Sequence, residues 1–146
     1  MQLKTGAVNR IIDANINRLK EGLRVCEEIT RFIINDRPLT TEFKKTRHKI
    51  DSLTKRLPMD LEGLLKSRNS PHDVGKNIYV NELKRKNLSD VFFANIQRAK
   101  ESLRVLEEFT KLKDKDISVG FKNIRYGIYE IEKKAAGKIS ALSGTR

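Results

Sequence analysis

Cysteine, proline and long apolar runs are all scarce in this chain of 146 residues. The single cysteine, Cys26, cannot form an intramolecular disulfide, which agrees with a reducing compartment. Only three prolines, with 38% hydrophobic and 34% charged residues, favour a helix-rich globular chain. No apolar run approaches the ~20 residues that cross a bilayer, and the first residues lack the apolar core of a signal peptide. These absences predict one soluble, cytoplasmic domain.

The motifs that mark many common enzyme classes are also missing. The sequence contains no GxxxxGKS/T phosphate-binding loop, no GxGxxG, no paired CxxC and no HExxH. Two histidines, His48 and His72, are too few for the usual histidine-rich metal site. Six phenylalanines and three tyrosines, with no recognition-helix motif, give little support to nucleic-acid binding.

Positive charge is in clear excess. The chain has 31 lysines and arginines against 19 acidic residues, which leaves a formal charge of +12. Such a charge attracts anions, whether nucleic acid, membrane lipid or phosphorylated small molecules. The basic residues are scattered rather than grouped in one block, so the charge favours an anionic ligand without choosing among these.

Two segments, residues 14–30 and 94–110, share twelve of seventeen residues at an offset of 80. A common helical pattern alone would keep the apolar positions and let the polar ones differ. Here the polar residues are kept as well, namely Asn15/Asn95, Arg18/Arg98, Lys20/Lys100, Glu21/Glu101, Arg24/Arg104, Glu27/Glu107 and Glu28/Glu108. The repeat therefore bears on function as well as on fold.

Apolar residues recur at helical spacing along almost the whole chain. This periodicity predicts four long helices and one short helical piece, with Ser89 as the N-cap of the third long helix. The predicted spans are 8–35, ending at Asp36-Arg37-Pro38, then 39–57, ending at Pro58, a short piece at 61–66, then 89–113 and 117–139.

The helices that follow the two repeated segments also match each other. Phe43, Lys44, Arg47 and Ile50 correspond to Phe121, Lys122, Arg125 and Ile128. The repeated unit is thus an αα-hairpin, with repeat one at about residues 8–57, a connecting segment at about 58–88 and repeat two at about 89–140. We predict an all-α antiparallel bundle with approximate two-fold pseudo-symmetry.

A polar stripe interrupts the apolar face of the repeated helices. Asn15 falls in the middle of the first apolar arc, and Arg18 lies at its edge on the same stripe as Gly22. The second repeat has the same arrangement with Asn95, Arg98 and Ser102. A buried amide needs hydrogen bonds, from a partner or a ligand. The small Gly22 and Ser102 would let the helices approach closely, so that both asparagines face one polar cavity. The alternative is that the asparagines fix helix register, as in a coiled coil.

The same helices carry a ladder of opposite charges formed by Arg18, Glu21, Arg24 and Glu28. Such rungs are common on exposed helices and worth only about 0.3–0.5 kcal/mol each. The ladder is therefore interpreted as a solvated face. Only its repetition in the second helix distinguishes it from an ordinary exposed ladder.

Residues 67–76 form the one stretch rich in turn residues. Basic, carboxylate and glycine residues crowd it, namely Arg68, Asn69, His72, Asp73, Gly75 and Lys76. This combination suits phosphate or phosphate–magnesium binding, because backbone N–H groups and an arginine can reach the same oxygens. Turns are rich in such residues for structural reasons too, so this segment alone does not show whether it binds a phosphate.

Five motifs together resemble one protein family. They are DANxxRxxEGLRVxEE (residues 13–28), TRHKI (46–50), SRNSPHDVG (67–75), ANxxRxxESLRVLEEF (94–109) and RYxxYxxEK (125–133). The family is the small helical domain often fused ahead of thiamine-phosphate synthase and also found alone. It is regarded as an alternative hydroxymethylpyrimidine phosphate kinase, unrelated to the ribokinase-like enzyme. The resemblance spans about residues 8–133, and because the sequence ends at Arg146 we expect a stand-alone protein.

The resemblance implies a kinase reaction and a set of site residues. ATP with Mg²⁺ would phosphorylate the phosphate of a pyrimidine, so catalysis would consist mainly of positioning and charge neutralisation. Asp73 and Arg68 are the expected catalytic residues, and Asp73, with Glu28 as a weaker candidate, would hold Mg²⁺. Asn69 stands where the family more often has aspartate. The residues expected to bind pyrimidine and phosphates are Asn15, Arg18, Arg47, His48, Lys76, Asn95, Arg98 and Arg125.

Two other functions remain open on the sequence. One is a different helical small-molecule enzyme for an anionic substrate, which would ignore nucleotides. The other is a basic interaction module that docks on nucleic acid or on a synthase partner and binds polyanions in a salt-dependent way. The duplicated helices are also consistent with a homodimer interface. Differences between the halves, such as His48 against Tyr126, favour one composite site over two equal ones.

Overall fold

The computed structural model describes residues 5–59, 61–77 and 83–144, and every regular element in these ranges is helical. The elements are α1 (Thr5–Glu28), continued by a π-helical turn (Ile29–Ile33), α2 (Arg37–Lys55), α3 (Leu61–Ser67), a 3-10 turn (Ser70–His72), α4 (Leu88–Thr110) and α5 (Lys115–Gly144). The all-α prediction is confirmed. Within the described ranges, none of the helices has the length and apolar content needed to span a bilayer.

The four long helices close into a ring, in which α1 packs on α4, α4 on α5, α5 on α2, and α2 on α1. Gly22 lies against Asn95, and one turn further along α1 the Cys26 thiol lies 3.6 Å from the carbonyl oxygen of Phe92, so α1 and α4 are antiparallel. The other neighbouring helices are antiparallel as well, because in each interface the residue number rises along one helix as it falls along the other. The ion pairs that show this are Lys20–Asp51 and Glu27–Arg47 between α1 and α2, Lys100–Glu132 and Glu107–Arg125 between α4 and α5, and Asp36–Lys138 and Glu42–Lys134 between α2 and α5. Both predicted αα-hairpins form, while the two-fold relation between them stays a prediction.

Apolar residues at the predicted helical spacing fill the centre of the ring. Phe43, Phe92 and Phe121, from three different helices, are the largest side chains that are fully buried. Cys26 is also fully buried and packs in this core as a small apolar residue. Burial, and to a lesser extent the nearby Glu132, raises the pKa of the Cys26 thiol to about 12, so the thiol stays protonated and unreactive at neutral pH.

Helix ends follow local capping chemistry, with one correction to the sequence prediction. Asn35 adopts a left-handed conformation (φ 56°) after the π-helical turn, and Asp36 caps α2 by accepting a hydrogen bond from the Leu39 N–H at 2.9 Å. The expectation that Ser89 caps α4 is wrong. Asn87 is the cap, because its side chain accepts the Asp90 N–H at 2.9 Å and lets the helix begin two residues earlier.

The connecting segment predicted at residues 58–88 is partly helical. α3 packs on α1, and the 3-10 turn follows it directly. This arrangement carries the turn residues Arg68, Asn69 and Asp73 to the side of α1 that bears Asn15. Residues 60 and 78–82 of the segment lie outside the described residues.

Replacing Gly22 by alanine tests the close approach of α1 and α4. A Cβ at this position would lie 2.8 Å from the Asn95 carbonyl oxygen, so the helix backbones would have to separate. We expect Gly22→Ala to lower the free energy of unfolding by about 1–3 kcal/mol despite the better helix propensity of alanine. Gly127→Ala on α5 is the control, because nothing lies within 4 Å of the place its methyl group would take, and it should stabilise by about 1 kcal/mol. Urea denaturation of both variants measures these changes. Stabilisation by Gly22→Ala would contradict the close approach of α1 and α4.

The cap of α2 predicts a pH-dependent stability. The hydrogen bond from Leu39 N–H, followed by that from Lys138, holds the pKa of Asp36 below its usual value. Because the folded pKa is the lower one, the stabilisation is present above pH ~4 and is lost as the pH falls through the folded pKa. We expect Asp36→Ala to lower the free energy of unfolding by about 1 kcal/mol at pH 7. The difference from the unchanged protein should shrink at pH 3 in thermal unfolding, and an undiminished difference would contradict this account.

Candidate functional site

A polar groove of about 790 Å³ runs between α1 and α4. It is lined by the same five residue positions of each repeat, with Leu83 adding an apolar edge: Asn15, Arg18, Glu21, Gly22 and Val25 on α1, and Asn95, Arg98, Glu101, Ser102 and Val105 on α4. The two polar stripes therefore face one shared cavity, as the sequence predicted for the asparagines. Three of the polar pairs kept through the repeat, Asn15/Asn95, Arg18/Arg98 and Glu21/Glu101, are therefore ones that a bound molecule would meet.

The two asparagines are anchored on their own helices and keep an acceptor for the groove. Asn15 is only 5% exposed, and its amide nitrogen donates to the Ile11 carbonyl at 2.8 Å. Asn95 donates to the Val91 carbonyl at 2.7 Å in the same way. No group among the described residues donates to either side-chain oxygen, and neither amide bonds to the opposite helix. These bonds fix the orientation of each amide but supply no inter-helix bond that would set register.

Arg18 and Arg98 are exposed in the groove, and neither forms an ion pair with any described residue. Each guanidinium group has five N–H donors in a planar fork that suits phosphate oxygens. In the folded chain these donors are therefore available to a ligand.

Arg47 and Arg125, by contrast, are committed to buried glutamates. Arg47 binds Glu27 through two hydrogen bonds of 2.7 and 3.1 Å, and Glu27 is only 2% exposed. Arg125 binds Glu107 in the same bidentate way, which raises the pKa of this arginine further above its usual value. A buried carboxylate without its cation would be costly. The structure thus places these two predicted phosphate ligands in ion pairs that join the helices of each hairpin.

A second cavity of about 430 Å³ adjoins the groove, because Asn15 and Arg18 line both. Arg68 stands in its wall, held by two 2.9 Å hydrogen bonds to the carboxylate of Asp13, and this contact raises the pKa of Arg68. Asp73 also lines the cavity, and one of its oxygens accepts the Gly75 N–H at 2.8 Å. The predicted catalytic pair, Arg68 and Asp73, therefore lies beside the groove.

The other predicted site residues lie elsewhere. His48 is exposed and lines a shallow depression between α2 and α5. The Lys76 ammonium donates to the Pro71 carbonyl at 2.8 Å within its own loop. Glu28, at the end of α1, lines neither cavity. In the part of the chain that the structure describes, no three histidine, cysteine or acidic side chains come together as a metal cluster.

Sequence reasoning missed two carboxylates of the groove, Glu21 and Glu101. The spacing of charges assigns Glu21 to an exposed ladder, and its repeat Glu101 follows the same pattern. Identity in both repeats does not separate them from the other rungs, because Arg24 and Glu28 are repeated as well and lie outside the groove.

Comparison with known proteins gives a consistent family result. The model of the ThiD2 family matches residues 10–134. A thiamine-phosphate synthase from Synechocystis sp. is 36% identical over 137 residues, which cover 93% of this chain and 38% of that protein. Thiamine-phosphate synthases from Rhodopirellula baltica (41% over 135 residues; 89% and 36%) and Nostoc punctiforme (37% over 131 residues; 89% and 36%) are similar. The chain thus spans little more than a third of the length of these curated relatives. No solved structure matches the chain significantly.

The two kinds of arginine predict different effects of mutation. Arg47→Ala leaves Glu27 buried without its main partner, so we expect a loss of about 3–5 kcal/mol in the free energy of unfolding. Arg98→Ala removes an exposed side chain without an ion pair, so its loss should stay within about 0.5 kcal/mol. Chemical denaturation measures the free energy of unfolding of both variants. Similar losses in the two would contradict the distinction between paired and unpaired arginines.

Proposed function

The chain belongs to the ThiD2 family, and on this premise we propose that it transfers the γ-phosphoryl group of Mg-ATP to hydroxymethylpyrimidine phosphate in thiamine biosynthesis. The family resemblance supplies the substrate and the reaction. The names of the relatives, thiamine-phosphate synthases, support a place in the same pathway. A second copy or a synthase partner is not needed for the residues discussed below to line the site.

One observation carries the proposal most directly: two oriented amides and two unpaired arginines face the same groove. A phosphorylated acceptor and ATP are both anions, so the barrier to bringing them together is largely electrostatic. Arginine donors held beside the phosphates lower this repulsion, and they act more strongly in a groove than in open water.

The amides are suited to the pyrimidine ring of the substrate, and the arginines to its phosphate. The free oxygen and the second N–H of Asn15 or Asn95 offer an acceptor and a donor side by side, which suits the edge of an aminopyrimidine ring. Arg18 lines both the groove and the second cavity. It therefore stands between the two spaces that would hold the two substrates, where it can bind a phosphate of either.

Arg68 supplies donors from the second cavity. Asp13 takes hydrogen bonds from Nε and Nη2 of Arg68, which leaves further N–H groups of the guanidinium for a phosphate. The ion pair also fixes the side chain, so little conformational entropy is lost when a phosphate binds.

Carboxylates of the site suit the magnesium ion that accompanies the nucleotide. Mg²⁺ is usually held by one or two carboxylates together with substrate phosphates and water. Glu21 and Glu101 in the groove, and Asp73 in the second cavity, provide such oxygens. Bound there with ATP, Mg²⁺ would neutralise phosphate charge.

The proposed transfer balances without a general base. An oxygen of the acceptor phosphate forms a bond to the γ-phosphorus of ATP, and the bond from that phosphorus to the bridging oxygen of ADP breaks. A phosphate monoester has its second pKa near 6, so the attacking oxygen is mostly deprotonated at pH 7. Asp73 is then assigned to binding and positioning rather than to proton abstraction.

Incubation with Mg-ATP and hydroxymethylpyrimidine phosphate tests the proposal, with ADP release and the diphosphate product followed together. We expect turnover that requires the acceptor, and a fall of about 100-fold or more in kcat/KM in Arg18→Ala and Arg98→Ala, since each removes charge stabilisation in the groove. Arg24→Ala is the matched control, because Arg24 is repeated and exposed on α1 but lies outside the groove; its activity should stay near that of the unchanged protein.

Folded protein that shows no turnover above the acceptor-free control would overturn the kinase proposal. Salt-dependent binding of polyanions that is insensitive to Asn15→Ala would then favour the interaction module instead.

A further inference from the structure

A third cleft, of about 180 Å³, borders the groove on the α4–α5 side. Glu101 lines both the groove and the cleft, so the two spaces are adjacent. The other residues of the cleft are Gln97, Lys100, Arg104, Arg125 and Tyr129. Of these residues, the proposed function uses only Glu101, and it leaves the aromatic and basic surface without a role.

Tyr129 is held firmly in this cleft but remains 39% exposed. Its hydroxyl accepts a hydrogen bond from Arg125 at 2.9 Å, and Arg125 is itself fixed by Glu107. The Lys100 ammonium lies 5.5 Å from the centre of the ring. The Arg125 guanidinium also lies over this ring, 5.8 Å from its centre. The two cations orient the ring, and its exposed part is the surface against which a planar ligand would stack.

The corresponding position in the first hairpin carries no ring. Asp51 follows Arg47 by four residues, as Tyr129 follows Arg125. Lys20, the repeat partner of Lys100, forms an ion pair with Asp51 at 2.9 Å. In the second hairpin the repeated lysine, Lys100, pairs with Glu132 at 2.8 Å instead, and the position equivalent to Asp51 is taken by the Tyr129 ring. The two sides of the groove therefore differ in chemistry although the repeated helices are alike.

We infer that the cleft around Tyr129 binds the purine base of ATP. This inference rests on the proposed function and assigns the direction in which the nucleotide lies. The base stacks on the Tyr129 ring, and the Gln97 amide, which donates to Glu101 at 3.3 Å, lies within the same cleft to meet a purine edge. Lys100 and Arg104, which pair with Glu132 and Glu108, line the cleft on the side where the base meets the phosphates.

The order of the three spaces gives the nucleotide its orientation. From the cleft, the triphosphate enters the groove past Glu101 and Arg98 and extends toward Arg18. The acceptor then occupies the part of the groove that continues into the second cavity, beside Arg68. One composite site results, with a nucleotide end in the second hairpin and an acceptor end at the turn.

Calorimetric titration of the full chain with Mg-ATP, and separately with hydroxymethylpyrimidine phosphate, tests the base site. We expect Tyr129→Leu to weaken ATP binding roughly tenfold or more, the scale of base–aromatic stacking, with the acceptor affinity unchanged. Tyr129→Phe keeps the ring and should bind ATP nearly as well as the unchanged protein. Tyr126→Leu is the control, because Tyr126 is 53% exposed beside Tyr129 but does not line the cleft.

Magnesium tripolyphosphate is a probe that lacks the base, so its affinity should not change in Tyr129→Leu. Unchanged ATP affinity in a folded Tyr129→Leu variant would overturn the inference, and turnover by the unchanged protein would leave the kinase proposal standing. ATP binding that depends on Tyr129 in a protein without turnover would support the base site and overturn the kinase proposal. An equal loss for ATP and tripolyphosphate would also overturn the inference, since the effect would then not involve the base.

Discussion

At Gly22 the backbone of α1 comes so close to α4 that a methyl group would sit 2.8 Å from the Asn95 carbonyl oxygen. This approach makes the two repeated helices the facing walls of one groove. Antiparallel packing then brings each position of the polar stripe on α1 into the same cavity as its repeat on α4. A larger residue at the crossing would separate the walls and misalign the amides and arginines that now converge. The groove thus depends on the absence of a side chain at one position.

Positive charge is used in two distinct ways around this crossing. Arg47 and Arg125 neutralise Glu27 and Glu107, whose carboxylates are buried and would otherwise carry a heavy desolvation cost. Arg18 has no such partner and remains available in the groove. The excess of cations over carboxylates in the chain makes this division feasible, because arginines remain after the buried acids have been paired.

Under the proposed function, the repeated helices and their unlike margins form one site with two unlike ends. Four of the five groove positions hold the same residue in both repeats, with Gly22 and Ser102 as the exception, so the groove has closely matching walls. At its margins the halves differ: Tyr129 opens an aromatic cleft where Asp51 closes an ion pair with Lys20, and the turn between the hairpins contributes Arg68 on one side only. Under the proposed function, these unlike margins would receive the two different substrates, one at each end of the groove.

The helices, the repeat and the polar stripe follow from the amino-acid order, because apolar periodicity and residue identity are local properties of the chain. The same local reading singles out Asn15, Arg18 and Asp73, which stand out from their neighbours. Helix packing, by contrast, determines that Arg47 pairs with Glu27, that Glu21 and Glu101 face the groove, and that Tyr129 stays open beside it. Spacing along a helix gives each side chain a direction, whereas its partner depends on how the helices pack. With 31 basic and 19 acidic residues, many pairings satisfy the sequence, and packing selects among them.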